Sequence, residues 1–229
     1  MAVGIQFQRE FAYQKLLELL FSGRLPIGQP LSERQIAAEL RIGRTPVREA
    51  IKALAKDGLL EVVPARGTYV ASITDDQLRE LYEVRFALEG QAAELAARSG
   101  ATTELLAYEG RLDASRSATT DDELECTYST GADFHVEVFR CAGNTILLDL
   151  YLPIRNRFRA TMQLGRYYDK QWVIDGIDQH LEILRAIDAR DGRLARRLMV
   201  SHLKRSYASK KRILQSLHDT DPALPVAAK

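Results

Sequence analysis

Residues 41–60 read RIGRTPVREAIKALAKDGLL, and they decide the architecture of the chain's N-terminal part. The segment reads as a helix that starts between Gly43 and Thr45. It accepts Pro46 in its first turn, where the missing N–H costs nothing, and runs to Gly58. Arg44 and Arg48, four residues apart, share one face of the helix N-terminus, where the macrodipole favours anions. Two cations read as unpaired at that place point to a negative charge supplied from outside the chain.

Working outward, the stretch FAYQKLLELLFSGRL carries Phe11, Leu16, Leu17, Leu19, Leu20 and Phe21 at helical spacing, with Gly23 ending the helix. LPIGQPL, with Pro26, Gly28 and Pro30, excludes helix. Ser32 and Gln35 stand in capping-box register at the head of a short second helix. After the third helix, LLEVVPARGTYVAS contains two β-rich runs separated by Pro64, Ala65, Arg66 and Gly67, the pattern of a hairpin. From Thr74 onward strand signals almost vanish. Helices are expected from Thr74 and over 103–118, 121–141, 144–164, 172–189 and 191–217, with Asn144, Gly165 and the RDG at 190–192 as breaks. The expected fold is therefore mainly α, a winged helix-turn-helix followed by an all-α helical bundle. The expected divisions are a first domain over 1–72, a helical bundle over 73–218 and a flexible tail over 219–229.

Composition agrees with a protein of two modest domains: 229 residues, 46% hydrophobic and 28% charged. No apolar run approaches the length of a membrane span, and the N-terminus MAVGIQFQRE lacks a secretory signal, so a cytoplasmic protein is expected. Cys126 and Cys141 match neither a redox nor a zinc spacing and read as reduced thiols. Residues 1–70 hold 10 Lys/Arg against 7 Asp/Glu, a net of +3, while the rest of the chain carries −2. This asymmetry is compatible with nucleic acid without demanding it.

In a winged helix-turn-helix the third helix enters the major groove and the hairpin lies beside it. Arg44 and Arg48 are then placed to reach base edges while backbone N–H groups meet phosphate. Arg34 on the preceding helix and Arg66 in the hairpin turn flank that face. The stretch LPIGQPLSERQIAAELRIGRTPVREAIKALAKDGLLEVVPARGTYV resembles the N-terminal domain of the GntR family of bacterial transcription regulators. The resemblance implies operator contacts at Arg34, Arg44, Arg48 and Gly67, and Thr45 and Pro46 of the same motif are counted with them. The family usually has Ser or Thr where this chain has Gly43; a Gly cap costs only a few tenths of a kcal/mol, so the helix forms with one polar DNA contact fewer.

Downstream, LYEVRFALEGQAAELAA, FHVEVFRCAGN and DQHLEILRAIDARDGRLARRLMVSHLKR resemble the FCD ligand-sensing domain of the FadR-like branch. That resemblance implies a divalent metal (Zn, Ni or Mn) held by His135, His180 and His202, and a small carboxylate effector bound by these groups and Arg85. The family's Asp ligand would stand four residues before His135, where this chain has Gly131, and Asp133 lies about 200° round the helix from His135. From the residues alone, three of the four histidines fall on separate apolar-striped helices and His218 falls in the tail. Neutral imidazoles on facing helices suit a metal with open positions. Arg85, near Glu83 and Glu89, reads either as a surface ion pair or as an inward guanidinium suited to bidentate carboxylate recognition.

The whole reads as a ligand-responsive regulator, not an enzyme, with repression the expected sign. It is expected to bind double-stranded palindromic operator DNA as a homodimer. A metal-dependent hydrolase built on His135, His180 and His202 is the alternative, although no His-Glu-x-x-His motif or nucleophile elbow accompanies them.

Overall fold

The structure is a computed structural model that describes residues 2–25, 27–160 and 170–220. The chain divides into two compact units. One contains Met1–Thr74 with the described part of Arg155–Gln163, and the other contains Asp75–Ile154 with the described part of Leu164–Asp219.

The first unit opens with α1 (Ala2–Phe21), followed by β1 (Pro30–Leu31), α2 (Glu33–Leu40), α3 (Arg44–Lys56), β2 (Leu60–Val63) and β3 (Gly67–Val70). α1 begins well before the stripe that starts at Phe11, because the preceding residues continue the helix without supplying core positions: Phe7 is 73% exposed. Ser32 caps α2, its hydroxyl accepting from the Gln35 N–H. α2 ends at Arg41, whose left-handed backbone (φ 54°) turns the chain toward α3. Gly43 caps α3 with no side-chain hydrogen bond, as its lack of a side chain requires. Val47, Ala50, Ile51 and Leu54 bury one stripe of α3 against Leu16 and Leu20 of α1 and Ile36 and Ala37 of α2.

The expected hairpin is present as β2 and β3, paired antiparallel with Val62 opposite Thr68. Gly67 sits at its tip with φ +122°, a conformation that L side chains rarely adopt. β1 was not legible, since two residues give no periodicity; it pairs with β3 through Pro30–Tyr69 and Leu31–Thr68, giving the sheet order β1-β3-β2.

The ordered elements after Thr74 are helices: α4 (Asp75–Ser99), α5 (Thr103–Ala114) continued by a 3-10 turn, α6 (Asp121–Cys141), α7 (Thr145–Ala160), α8 (Lys170–Asp188) and α9 (Gly192–Thr220), of which the described residues of α7 from Arg155 and the last residue of α9 fall to the first unit. The mainly α class, with a winged helix-turn-helix ahead of a helical bundle, is as expected. α6 begins with a complete capping box between Thr120 and Glu123 and packs against α4, α5 and α8. Four helices interrupt their apolar stripes with buried polar residues: Arg85 and Glu89 on α4, Thr127, His135 and Glu137 on α6, His180 on α8, and His202, Ser206, Ser209 and Lys210 on α9. The expected break at Gly165, the residues from 221 onward, Pro26 and the side chain of His218 lie outside what is described.

Candidate functional site

The surface expected to meet DNA is built on the first turn of α3. Arg44, Thr45 and Arg48 are exposed there, as are Arg34 on α2 and Arg66 and Gly67 at the hairpin tip. Pro46 is buried; it presets the turn, and its ring does not lie on the exposed face with the others. The arginines are also not unpaired. Glu33, the first residue of α2, accepts from Arg48 Nε and Nη2, both at 3.1 Å, and lies 4.0 Å from Arg44 Nη2. The side chains of Arg48 and Glu33 retain 51% and 27% exposure. A solvated pair of this kind is weak and can exchange for a phosphate or a base edge. In the turn beside it, the Tyr69 hydroxyl donates to the Arg66 carbonyl at 3.1 Å, tying the tip to β3.

In the second unit the helical phase of α6, α8 and α9 brings His135, His180 and His202 together. All three are buried, and their ligand nitrogens lie within 4.8 Å of one another. His135 Nε2 and His180 Nε2 are 3.2 Å apart, close to the roughly 3.4 Å that separates two imidazole nitrogens sharing one tetrahedral zinc. Two lone pairs cannot face each other at that distance without a proton or a cation between them.

The far sides of two rings determine which nitrogen is available. The Gln179 amide donates to the Asp175 carbonyl at 2.8 Å, which turns its oxygen toward His202 Nδ1 at 3.0 Å. His202 therefore carries its proton on Nδ1 and keeps Nε2 as a lone pair. Glu89 Oε2 stands 2.5 Å from His135 Nδ1, off the straight line of an ideal hydrogen bond, and selects the same tautomer. Burial, followed by the neighbouring His135 ring, pushes His180 well below its ordinary pKa. His202 is lowered likewise, by burial and then by His180. Neutral rings need release no proton to take a metal.

Arg85 is 1% exposed and lies inward, its Nε donating to Glu89 Oε1 at 2.5 Å. Burial alone would raise the Glu89 pKa, but Arg85 and His135 outweigh it and hold the carboxyl below its usual range. Glu89 thus couples the arginine to the histidine cluster. Sequence reading treated Glu89 only as a surface ion-pair partner and did not reach Glu33 or Gln179. Its i+4 spacing from Arg85 fits a surface pair as well as an inward one, so only the packing of α4 marks Glu89 as inward. Gly131 faces the cluster as expected: a Cβ there would come within 2.9 Å of His180 Cε1. The position a ligating side chain would need is therefore closed by the His180 ring.

Residues 8–70 match the model of the bacterial regulatory proteins of the gntR family, and residues 80–205 match the FCD domain. The chain belongs to the GntR family. This GntR protein is 31% identical over 195 residues to the HTH-type transcriptional repressor RspR of Escherichia coli K12, covering 84% of each chain. In fold it is similar to E. coli McbR/YncC, with a TM-score of 0.79, 22% identity, and coverage of 92% of this chain and 98% of that one. The metal-free FCD domain of TM0439 superposes with a TM-score of 0.54 at 20% identity, covering 64% of this chain and 99% of that one. GntR regulators of this kind are transcription factors, not enzymes, and the hydrolase alternative has no support. The carboxylate nearest the histidines, Glu89, is engaged by Arg85 and lies behind the His135 ring. No helix among the described residues is long and apolar enough to cross a membrane.

Proposed function

We propose that this GntR protein is a cytoplasmic repressor that binds a palindromic operator as a homodimer and responds to a small organic acid in its FCD domain. The observation that carries the DNA half of this reading is the exposed Arg44–Arg48 pair at the N-terminus of α3, with Arg34, Thr45, Arg66 and Gly67 around it. The similarity to RspR, a repressor by its name, supports the sign. The functional divisions that go with it are residues 1–72 for DNA, 73–218 for sensing and dimerisation, and 219–229 as a tail.

The sensing half rests on the buried histidine cluster beside Arg85. His135, His180 and His202 would hold a divalent ion, which would act as a Lewis acid toward an effector carboxylate. The donor set fits such an ion, because two of the three rings have their tautomer set from behind and His180 and His202 are kept neutral. With Gly131 supplying no ligand, effector or water oxygens would complete the coordination. An acid bound there shifts the dimer between arrangements of unequal operator affinity, and the difference in affinity is the coupling.

The test is a gel shift and footprint of the full-length protein on the DNA adjoining its own gene, with and without carboxylates. A protected palindrome that is released on adding an acid supports the reading. Binding without sequence preference would overturn it.

A further inference from the structure

The C-terminal end of α7 belongs to the first unit, where it closes on the far end of α3. That helix stops in a Schellman turn: the Gly58 N–H donates to the Ala55 carbonyl at 3.0 Å and the Leu59 N–H to the Leu54 carbonyl at 2.9 Å, with Gly58 at φ +73°. The last carbonyls of a helix have no partner within it, and here the Asp57 carbonyl accepts from Arg157 Nε at 2.8 Å, a contact across 100 residues of chain. The guanidinium lies over Gly58, in the space that a Cβ would take. Asp57 is also held from a second side. The Tyr13 hydroxyl of α1 donates to Asp57 Oδ2 at 2.7 Å, and Asn156 of α7 bonds the same hydroxyl. Arg159 Cζ stands 4.4 Å above the centre of the Phe21 ring, at the end of α1, and Phe158 is buried. Residues 156–159 therefore tie the end of α3 to α1.

What leaves this joint gives it importance. Leu59 and Leu60, both buried, carry the chain from Gly58 directly into β2, so the end of α3 and the start of the hairpin are set at the same place. A cation at a helix C-terminus is favoured by the macrodipole, and a charge-assisted hydrogen bond is stronger than a neutral one. Reading a base edge requires a side chain to be placed within hydrogen-bond geometry. Attraction to phosphate falls off gradually with distance and survives a small displacement. A loosened joint therefore costs more on an operator than on any other duplex.

We propose that Arg157 is a positioning residue for DNA recognition: through Asp57 it holds the junction of α3 and β2, so that the reading helix and the hairpin present their arginines as one body. This rests on the DNA reading of α3 and extends it to a residue outside the segment 8–70 that matches the gntR model.

The experiment uses full-length wild type, Arg157→Ala, Arg157→Lys and Lys56→Ala, the last removing an equal charge from the exposed end of α3 while leaving the Asp57 contact in place. Hydrogen exchange of the DNA-free proteins reads the joint itself. Arg157→Ala should speed exchange at the Gly58 and Leu59 amides by roughly tenfold, as loss of a hydrogen bond from a charged donor allows. Arg157→Lys should recover part of the protection, and Lys56→Ala should stay near wild type. Affinities are then measured for the palindrome protected in the footprint and for a scrambled duplex. Arg157→Ala should lower operator affinity roughly fivefold or more while scrambled affinity stays within about twofold, with partial recovery in Arg157→Lys. Lys56→Ala should weaken both duplexes alike. Unchanged exchange in Arg157→Ala, or a loss of affinity shared equally by both duplexes, overturns the positioning role and leaves α3 standing as the reader. A wild type with no preference for the palindrome removes the DNA reading of α3, and the positioning role with it.

Discussion

Glu33 holds Arg48 by two nitrogens, Nε and Nη2, each 3.1 Å from its carboxylate. The contact fixes the guanidinium plane of a side chain that is otherwise half in solvent, and it places a negative charge on the face proposed to meet DNA. Arg48→Ala should weaken operator binding by about 1–3 kcal/mol, the worth of one good bidentate base contact. The loss should disappear on scrambled DNA once phosphate contacts alone remain. Gel shifts on both duplexes measure this, and unchanged operator affinity would remove α3 as the reader.

Glu33→Gln should act in the opposite sense on non-specific DNA. Removing the carboxylate lifts a repulsion from phosphate, so affinity for any duplex rises, while Arg48 loses the contact that aims it. The ratio of operator to scrambled affinity should fall. Titrations over a range of salt separate the two effects, because the electrostatic part scales with salt and base readout does not.

The metal reading of the three imidazoles has a direct measurement. Purified full-length protein dialysed against zinc, nickel or manganese should retain about one equivalent, and His180→Ala should lose it by elemental analysis. Because neutral rings are the ligand form, retention should fall as the medium is acidified, by competition for the nitrogens rather than by unfolding. No metal above background in wild type would remove the ion from the proposed function.

Gly131 lies under the His180 ring, and even a methyl group would come within 2.9 Å of Cε1. Gly131→Ala should therefore destabilise the bundle by about 1–3 kcal/mol through overpacking, despite Ala being the better helix former. The midpoint of urea unfolding checks the sign. An increase in stability would mean that His180 rotates freely, and that its place beside His135 is not enforced by packing.

What could be read from sequence and what could not divide along physical lines. The α3 helix and its cap, the hairpin and the six bundle helices announce themselves by local signals: Pro46, Gly43, Gly67, and apolar residues at fixed spacing. The three histidines were found because each sits on a different striped helix. Glu89 was missed as an inward group because an Arg–Glu pair at i and i+4 has the same spacing whether it faces water or a core, and only the packing of α4 against its neighbours decides. The same holds for Glu33, whose partner is 15 residues away. Lys210 is followed by Lys211 and Arg212, both exposed, and the run reads as solvated; only the phase it shares with Ala195, Met199, His202, Ser206 and Leu214 marks it as interior.

That interior lysine should leave a signature in stability against pH. Its folded pKa, about 7, lies below the ordinary value of 10.5, with burial the main cause. Between those two values the unfolded chain binds more protons than the folded one, so stability rises with pH across that window. Above it Lys210 is neutral in both states and imposes no charge penalty; as pH falls through about 7, the full cost of the buried ammonium is present. The slope from this one group is at most about 1.4 kcal/mol per pH unit. Lys210→Met should flatten the profile in that window and gain most over wild type at and below neutral pH, where the methionine replaces a charged group. Urea unfolding of both proteins from pH 6 to 10 tests this. Parallel profiles would mean that Lys210 reaches solvent when charged, and a Lys210→Met protein less stable at neutral pH would mean that the ammonium is answered by negative charge within the fold itself.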